Sequence, residues 1–593
     1  MRFLGSAVAL FLAVAVVGAY PAISTRETVT LTVDLGYEVY QGVRDTNNSI
    51  DVFKGIRYAA PPLGNLRFAA PQLPATNRSS VQIATSNPPI CPQTGASKET
   101  PEEYGFGSAP GNEDCLYLNV YAPVNASNLP VFFWIHGGGY SLFSASGLDP
   151  TEIMTTNDNG FISVIIQYRL GAFGFLAGDD VKEKGTLNAG LLDMNFALQW
   201  VQRNIKSFGG DPSRVTLAGE SAGAGAVMYQ AMAYGGAQNQ SLFTNIIAAS
   251  PWVPYQHAYD DPVPSTAYKD FASAAGCLGY TDTLQCLRDA DTSILQNASV
   301  QASEAGPFGT FAFGPVTDGK FVQQLPSEQL VSKNLTGKRI LSANLANEGI
   351  PLSPPYTKTL EDFRAYINTT FPTFSPSDKA ALEDQYSFDG DDLDVDPSSP
   401  LFQTDGTSLP SAINQSAFGT GQQQRVFNLF AEYAFDCPSY WLASAFPQAW
   451  KYQYSGPPSY HGYDLQALWS GTKSPGQSFK HAYRKIWGNF IIHDDPTITV
   501  ADARAGNGLA VVPVGGEGKI EWPVWNRESP RLLSLNSTGG YHTFLNVTDY
   551  LKYYIYRDPG VVNQIKVADA YEWEGGRGRR CDWWLENAAK VPY

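Results

Sequence analysis

Val215-Thr216-Leu217-Ala218-Gly219-Glu220-Ser221-Ala222-Gly223-Ala224-Gly225-Ala226 decides the fold of this chain. Its first residues form a short apolar run suited to a buried strand. Gly-x-Ser-x-Gly follows, and then an Ala-rich stretch suited to a helix. A sharp strand-to-helix turn of this kind holds a serine in a strained backbone conformation with its hydroxyl exposed. Gly219 and Gly223 leave room for strand and helix to close on each other. Ser221 then sits at a helix N-terminus, where free N–H groups and the helix dipole favour developing negative charge. The Ala222 N–H is a natural oxyanion donor. Ser221 is the candidate nucleophile.

Other strand-like runs flank this turn. Val131-Phe132-Phe133-Trp134-Ile135, Val164-Ile165-Ile166-Gln167-Tyr168 and Ala449-Trp450-Lys451-Tyr452-Gln453-Tyr454 read as strands. Ala189 to Ile205 reads as a helix with a broad apolar face. Strands alternating with helices imply an α/β fold, a mostly parallel sheet covered on both faces. After the first of these strands comes His136-Gly137-Gly138-Gly139-Tyr140, where glycines let backbone N–H groups turn toward a ligand.

The chain has 593 residues, 43% of them hydrophobic, enough for a large core. Its net charge of -16 argues against a nucleic-acid partner. Met1-Arg2 and the apolar run Phe3 to Val17, with Val17-Gly18-Ala19 behind it, read as a secretory signal over residues 1–19. Residues 20–593 then form the mature chain, expected as a single domain with no stable membrane anchor. Six cysteines fit an oxidising compartment, and their spacing alone leaves the pairing open. Ten sequons begin at Asn47, Asn77, Asn125, Asn239, Asn297, Asn334, Asn368, Asn414, Asn536 and Asn546. Occupied ones must lie on the surface.

Phe53-Lys54-Gly55-Ile56-Arg57-Tyr58-Ala59-Ala60-Pro61-Pro62-Leu63-Gly64-Asn65-Leu66-Arg67-Phe68 and Glu113-Asp114-Cys115-Leu116-Tyr117-Leu118-Asn119-Val120-Tyr121 resemble the type-B carboxylesterase/lipase family, which includes the cholinesterases. The resemblance runs from about Val43 into the C-terminal region and suggests a fungal-type secreted member. It implies an α/β-hydrolase fold whose insertions form a gorge. It further implies an Arg67–Glu113 ion pair and oxyanion donors at Gly138 and Gly139 beside Ala222. Disulfides are implied for Cys91–Cys115, Cys277–Cys286 and Cys437–Cys581.

A serine hydroxyl needs a base, and in this fold the triad runs Ser, acid, His along the chain. Of the six histidines, His136 falls on the wrong side of Ser221. His461 follows a strand and a Pro/Gly-rich loop, and His461-Gly462-Tyr463-Asp464 resembles the family's motif for the base. The acid is expected at Glu348, in Asn347-Glu348-Gly349 after the strand-like run from Ile340. It resembles the family's acid-Gly motif, whereas Asp318 resembles a turn without a catalytic role. Glu220, next to the nucleophile, is expected to act on His461 through charge or water. Tyr140 and Trp252 are candidates for the substrate pocket.

These residues point to a secreted serine carboxylic ester hydrolase working through an acyl-enzyme on a small-molecule ester, with no cofactor. The alternatives are a lipase or sterol-esterase-like hydrolase, and an inactive cholinesterase-like binding module. The Cys91–Cys115 loop is polar, with Tyr104 and Phe106 its aromatics, which disfavours an interface-opened lipase. It also lacks the Trp that holds choline in cholinesterases by cation–π attraction. The acidic run Asp389 to Asp396 lacks the Gly and distal Glu of a helix–loop–helix calcium site and reads as a solvated loop, so no metal is expected. Substrate groups and oligomeric state stay open.

Overall fold

The computed structural model describes residues 30–101, 105–238, 241–387, 411–472, 474–504, 518–549 and 551–591. The expected signal segment 1–19, Tyr104, Asn239 and the acidic run 389–396 lie outside these residues.

Thirteen strands among the described residues form one mixed sheet. They are β1 (Thr30–Asp34), β2 (Val39–Asp45), β3 (Ile50–Arg57), β4 (Val81–Ile83), β5 (Tyr117–Pro123), β6 (Leu129–Ile135), β7 (Ile162–Ile166), β8 (Gly210–Glu220), β9 (Asn245–Ala249), β10 (Arg339–Leu345), β11 (Gln448–Tyr454), β12 (Arg531–Asn546) and β13 (Lys552–Asp569). Their order is β1-β2-β3-β5-β7-β6-β8-β9-β10-β11-β12-β13, with β4 beside β2. From β7 through β12 every neighbouring pair is parallel.

Parallel neighbours need crossovers, and helices supply them. Helix α1 (Ala189–Asn204) leads into β8, and α2 (Ala222–Met232) joins β8 to β9. Helix α3 (Cys437–Ala445) precedes β11, and α4 (Gln477–His493) follows it. The C-terminal helix α5 (Trp573–Glu586) follows β13. The central strands are apolar nearly throughout because both sheet faces are covered. On one face Phe133, Leu217 and Ile246 enter the core; on the other Phe132, Trp134, Ala218 and Ile247 enter a second core. This is the period-two alternation of a strand.

The disulfides Cys91–Cys115, Cys277–Cys286 and Cys437–Cys581 close segments of 24, 9 and 144 residues. The last ties α5 to α3. Arg67 meets Glu113 in a two-pronged ion pair, at 2.6 and 2.8 Å. It also donates to the carbonyls of Leu287, Arg288 and Ala290, so its role is to pin loops together.

One element exceeded the sequence reading. β12 and β13 continue as a hairpin well past the three-residue pairing of β12 with β11. Its ladder shifts register between Gly539 and Tyr541. Gly540 has φ +85°, and a Cβ there would stand 2.6 Å from the Val561 side chain. The hairpin's Tyr553 packs on Phe418 and Tyr460. Burial also corrects one sequon. Asn536 lies in the β12 ladder opposite Gln564 at 5% exposure, leaving no room for a glycan on the folded chain. Asn414 is half-buried, whereas Asn47, Asn77, Asn125, Asn297, Asn334, Asn368 and Asn546 are exposed.

Candidate active site

β8 ends at Glu220 and α2 begins at Ala222, which leaves Ser221 alone on the turn between them. Its backbone is at φ 58°, ψ −128°. A positive φ is costly for a residue with a Cβ and persists where the surroundings enforce it. Three hydrogen bonds do so here. Ser221 N–H donates to the Ala249 carbonyl at 3.0 Å, and the Ser221 carbonyl accepts from Gly225 at 2.9 Å and Trp252 at 3.1 Å. A Cβ on Gly219 would lie 2.4 Å from the Gly223 backbone, and one on Gly223 would lie 2.2 Å from the Ile135 carbonyl oxygen. Glycine is the residue that lets the turn close.

The loop after the neighbouring strand β6 faces this turn. A Cβ on Gly137 would lie 2.9 Å from Ser221 Cβ. Gly138 and Gly139 have φ +99° and +59°. Gly138's carbonyl accepts from Ser141 and Leu142, both at 2.9 Å, which fixes the loop. Among the described residues the amides of Gly138, Gly139 and Ala222 donate to no acceptor. Aromatic rings flank the two loop glycines. Phe143 lies against Gly138 and Phe311 against Gly139.

His461 and Glu348 come from the ends of β11 and β10, adjacent parallel strands. His461 N–H donates to the Ile350 carbonyl at 3.0 Å, which joins the two loops. His461 Nε2 stands 2.8 Å from Ser221 Oγ, and Nδ1 stands 2.6 Å from Glu348 Oε2. The other carboxylate oxygen of Glu348 accepts from Ser250 Oγ and from the Leu345 N–H, both at 2.5 Å. Glu348 is 0% exposed, Ser221 7% and His461 8%. The sequence reading missed Ser250. Its position at the end of β9, level with the end of β8, was the available signal.

Burial works against a charge on His461. The Glu348 hydrogen bond, with the charges of Glu348, Glu220 and Asp464, overcomes it and raises the pKa above the ordinary value of 6.5. Glu220 Oε1 lies 3.6 Å from His461 Nε2. Burial lifts the Glu220 carboxyl well above the usual range, with His461 pulling the other way.

The remaining candidates have other surroundings. His136 stacks on Tyr168 with centroids 4.4 Å apart, and burial pulls its pKa down to about 4. Asp318 accepts from Asn188 Nδ2 and from two turn amides. His257 faces Asp261, and His481 faces Asp502. Trp252 is 8% exposed beside the Ser221 turn. Tyr140 is 0% exposed, stacked on Trp252 with Phe175 tilted against it, so it supports the Trp from behind and has no exposed surface to offer a substrate. Among the described residues no cluster of three His, Cys, Asp or Glu is arranged for a metal, and no helix is long and apolar enough to cross a membrane.

The parallel sheet, the strained serine turn and the order Ser, Glu, His define an α/β-hydrolase. The chain belongs to the carboxylesterase family, whose model matches residues 37–551, and is a carboxylic ester hydrolase. It is 30% identical to lipase 2 of Geotrichum candidum over 85% of this chain and 91% of that one. It is 32% identical to a secreted triacylglycerol lipase of Gibberella zeae over 60% and 64% of the two chains. Among solved structures, EstA of Aspergillus niger superposes with a TM-score of 0.72 at 26% identity, covering 95% of this chain and 99% of that one.

Proposed function

We propose that the chain is a secreted serine esterase that works through an acyl-enzyme. Ser221 Oγ attacks the ester carbonyl carbon while His461 Nε2 takes its proton. The carbonyl oxygen becomes an oxyanion, which the N–H groups of Gly138, Gly139 and Ala222 hold. Collapse of this intermediate breaks the bond to the alkoxy group, and His461 protonates the departing alcohol. Water then attacks the acyl carbon with His461 again as base, releasing the acid and restoring Ser221. Glu348 holds the imidazole in the right tautomer and stabilises its charged form. The observation that carries this reading is the continuous line Ser221 Oγ, His461, Glu348 at 2.8 and 2.6 Å. Glu220 tunes the charge on His461 from its other flank.

The test is hydrolysis of a dissolved short-chain ester by the purified protein. The wild type turns it over; Ser221→Ala, His461→Ala and Glu348→Ala each lose at least about a thousandfold in kcat. Equal rates above the uncatalysed background for wild type and Ser221→Ala would refute Ser221 as nucleophile, and background rates for both would favour the binding module.

A lipase is the second reading. The similar chains named as lipases favour it. So do the rings of Phe106, Phe143 and Phe311, which approach one another near the oxyanion loop at 6.2 to 6.4 Å. Phe143 is 47% exposed. Comparing dissolved with emulsified esters separates the two, since a lipase gains rate at the emulsion surface. Secretion rests on the segment 1–19, the three disulfides and the exposed sequons. A secreted protein beginning at Tyr20 is the expected product; an intracellular chain beginning at Met1 would contradict it.

A further inference from the structure

The third side of His461 is covered by a residue that the triad does not name. Between the Glu348 loop and α3 the backbone makes one wide π-helical turn, Glu432–Asp436. Such single turns interrupt helices at a cost and recur at functional sites. This one carries Phe435, which is 0% exposed. The Phe435 ring lies over the His461 imidazole with centroids 4.2 Å apart and planes tilted by 34°.

The turn is anchored from behind by α5. Arg580 grips the Glu432 carboxylate with two hydrogen bonds, at 2.6 and 2.7 Å. Arg577 Nε lies 3.2 Å from Asp436. The next residue, Cys437, is bonded to Cys581 of the same helix. Glu432 is thus held by hydrogen bonds, whereas Arg577 faces Asp436 by charge without a hydrogen bond, and these contacts tie the turn that carries Phe435 to α5.

We infer that Phe435 is a positioning residue for the base: its ring face stabilises His461 in the charged imidazolium form and fixes the imidazole plane in line with Ser221 and Glu348. An aromatic face attracts a cation through its quadrupole, most strongly where water is excluded. The imidazolium exists in both transition states of acyl transfer, so the ring stabilises what forms during reaction. The charged groups around His461 are Glu348 at Nδ1, Glu220 near Nε2 and Asp464 on the following turn. Those behind Phe435 are Asp436 and Glu432, paired with Arg577 and Arg580, and Lys451. The inference rests on His461 being the catalytic base.

Two replacements separate ring electronics from packing. Phe435→Leu keeps an apolar side chain of similar bulk but has no π face. 3,4,5-Trifluorophenylalanine at position 435 keeps the ring and its shape but weakens the quadrupole. With a dissolved short-chain ester, Phe435→Leu lowers kcat by about tenfold with KM nearly unchanged. Its acid limb in kcat/KM moves down by up to about one pH unit, because the imidazolium has lost support. The fluorinated protein falls between wild type and Phe435→Leu in both readouts. Unmoved acid limbs, or a fluorinated protein identical to wild type, would overturn the inference and leave Phe435 as packing. Should Phe435→Leu not fold, the fluorinated protein decides alone. A wild type that hydrolyses no ester would instead refute the esterase reading itself.

Discussion

Replacing Glu348 by Gln changes one atom pair and tests the whole chain of proton transfers. The carboxylate has two distinct sides. Oε1 accepts from Ser250 Oγ and Leu345 N–H, and Oε2 accepts from His461 Nδ1. In the Glu348→Gln protein the side-chain carbonyl oxygen satisfies the two donors, which leaves the NH2 aimed at Nδ1. That amide can only donate. His461 must then carry its proton on Nε2, pointing at Ser221 Oγ, and is unable to take the serine proton. The imidazolium also loses its adjacent negative charge. Together these effects lower kcat by about 10³ to 10⁴, the loss that the equivalent Asp-to-Asn change causes in other triads, or about 4–5.5 kcal/mol. The pH profile must shift too. Glu348 is the main favourable influence raising the His461 pKa against burial. Without it, burial dominates, the pKa falls, and the acid limb of kcat/KM moves to lower pH. The assay is kcat and kcat/KM against pH on a dissolved ester, normalised to active sites. A loss under tenfold, or an acid limb that stays in place, would refute the tautomer argument.

Three further outcomes follow from the geometry. In the wild type, kcat/KM falls as pH drops through the His461 pKa, and the midpoint lies above 6.5 because that pKa is raised; a rate flat across the histidine range would count against His461 as base. Gly139→Ala places a Cβ 2.4 Å from the Phe311 ring at φ +59°, displaces a proposed oxyanion donor and lowers kcat by about 10² to 10³; steady-state kinetics with a thermal melt separates this from unfolding. Replacing both Cys437 and Cys581 by Ala opens a 144-residue loop and destabilises the fold by about 2–5 kcal/mol; an unchanged denaturation midpoint would show that the buried arginines alone hold α5.

What the sequence made legible was local or punctuated by glycine. The strand–turn–helix around Ser221 is contiguous, and its glycines have no substitute at the close approaches to Gly223 and Ile135. His461 and Glu348 each follow an apolar strand and resemble the family's motifs for the base and the acid, and parallel neighbours bring those two strand ends together. The parts that were missed depend on partners far apart in the chain. Arg577 and Glu432 are 145 residues apart, and neither has a neighbour that announces a buried ion pair. Phe435 reads as one more aromatic in an apolar helix until the π-helical turn rotates it over His461. The β12–β13 hairpin was hidden because its outer half, Tyr541-His542-Thr543-Phe544-Leu545-Asn546 and Lys552-Tyr553-Tyr554-Ile555-Tyr556-Arg557, mixes polar and aromatic residues without regular alternation and has no core on both sides. Tyr140 looked like pocket lining from its place after the glycines, but its ring is fully buried and stacked on Trp252.

A mass measurement on the reacting protein puts the nucleophile itself to the test. Mixing the protein with an activated ester or a fluorophosphonate and quenching should give one added acyl or phosphonyl group per chain, located by peptide mapping at Ser221 and absent from Ser221→Ala. Modification at another residue, or equal labelling of Ser221→Ala, would show that Ser221 is not the group that attacks the ester.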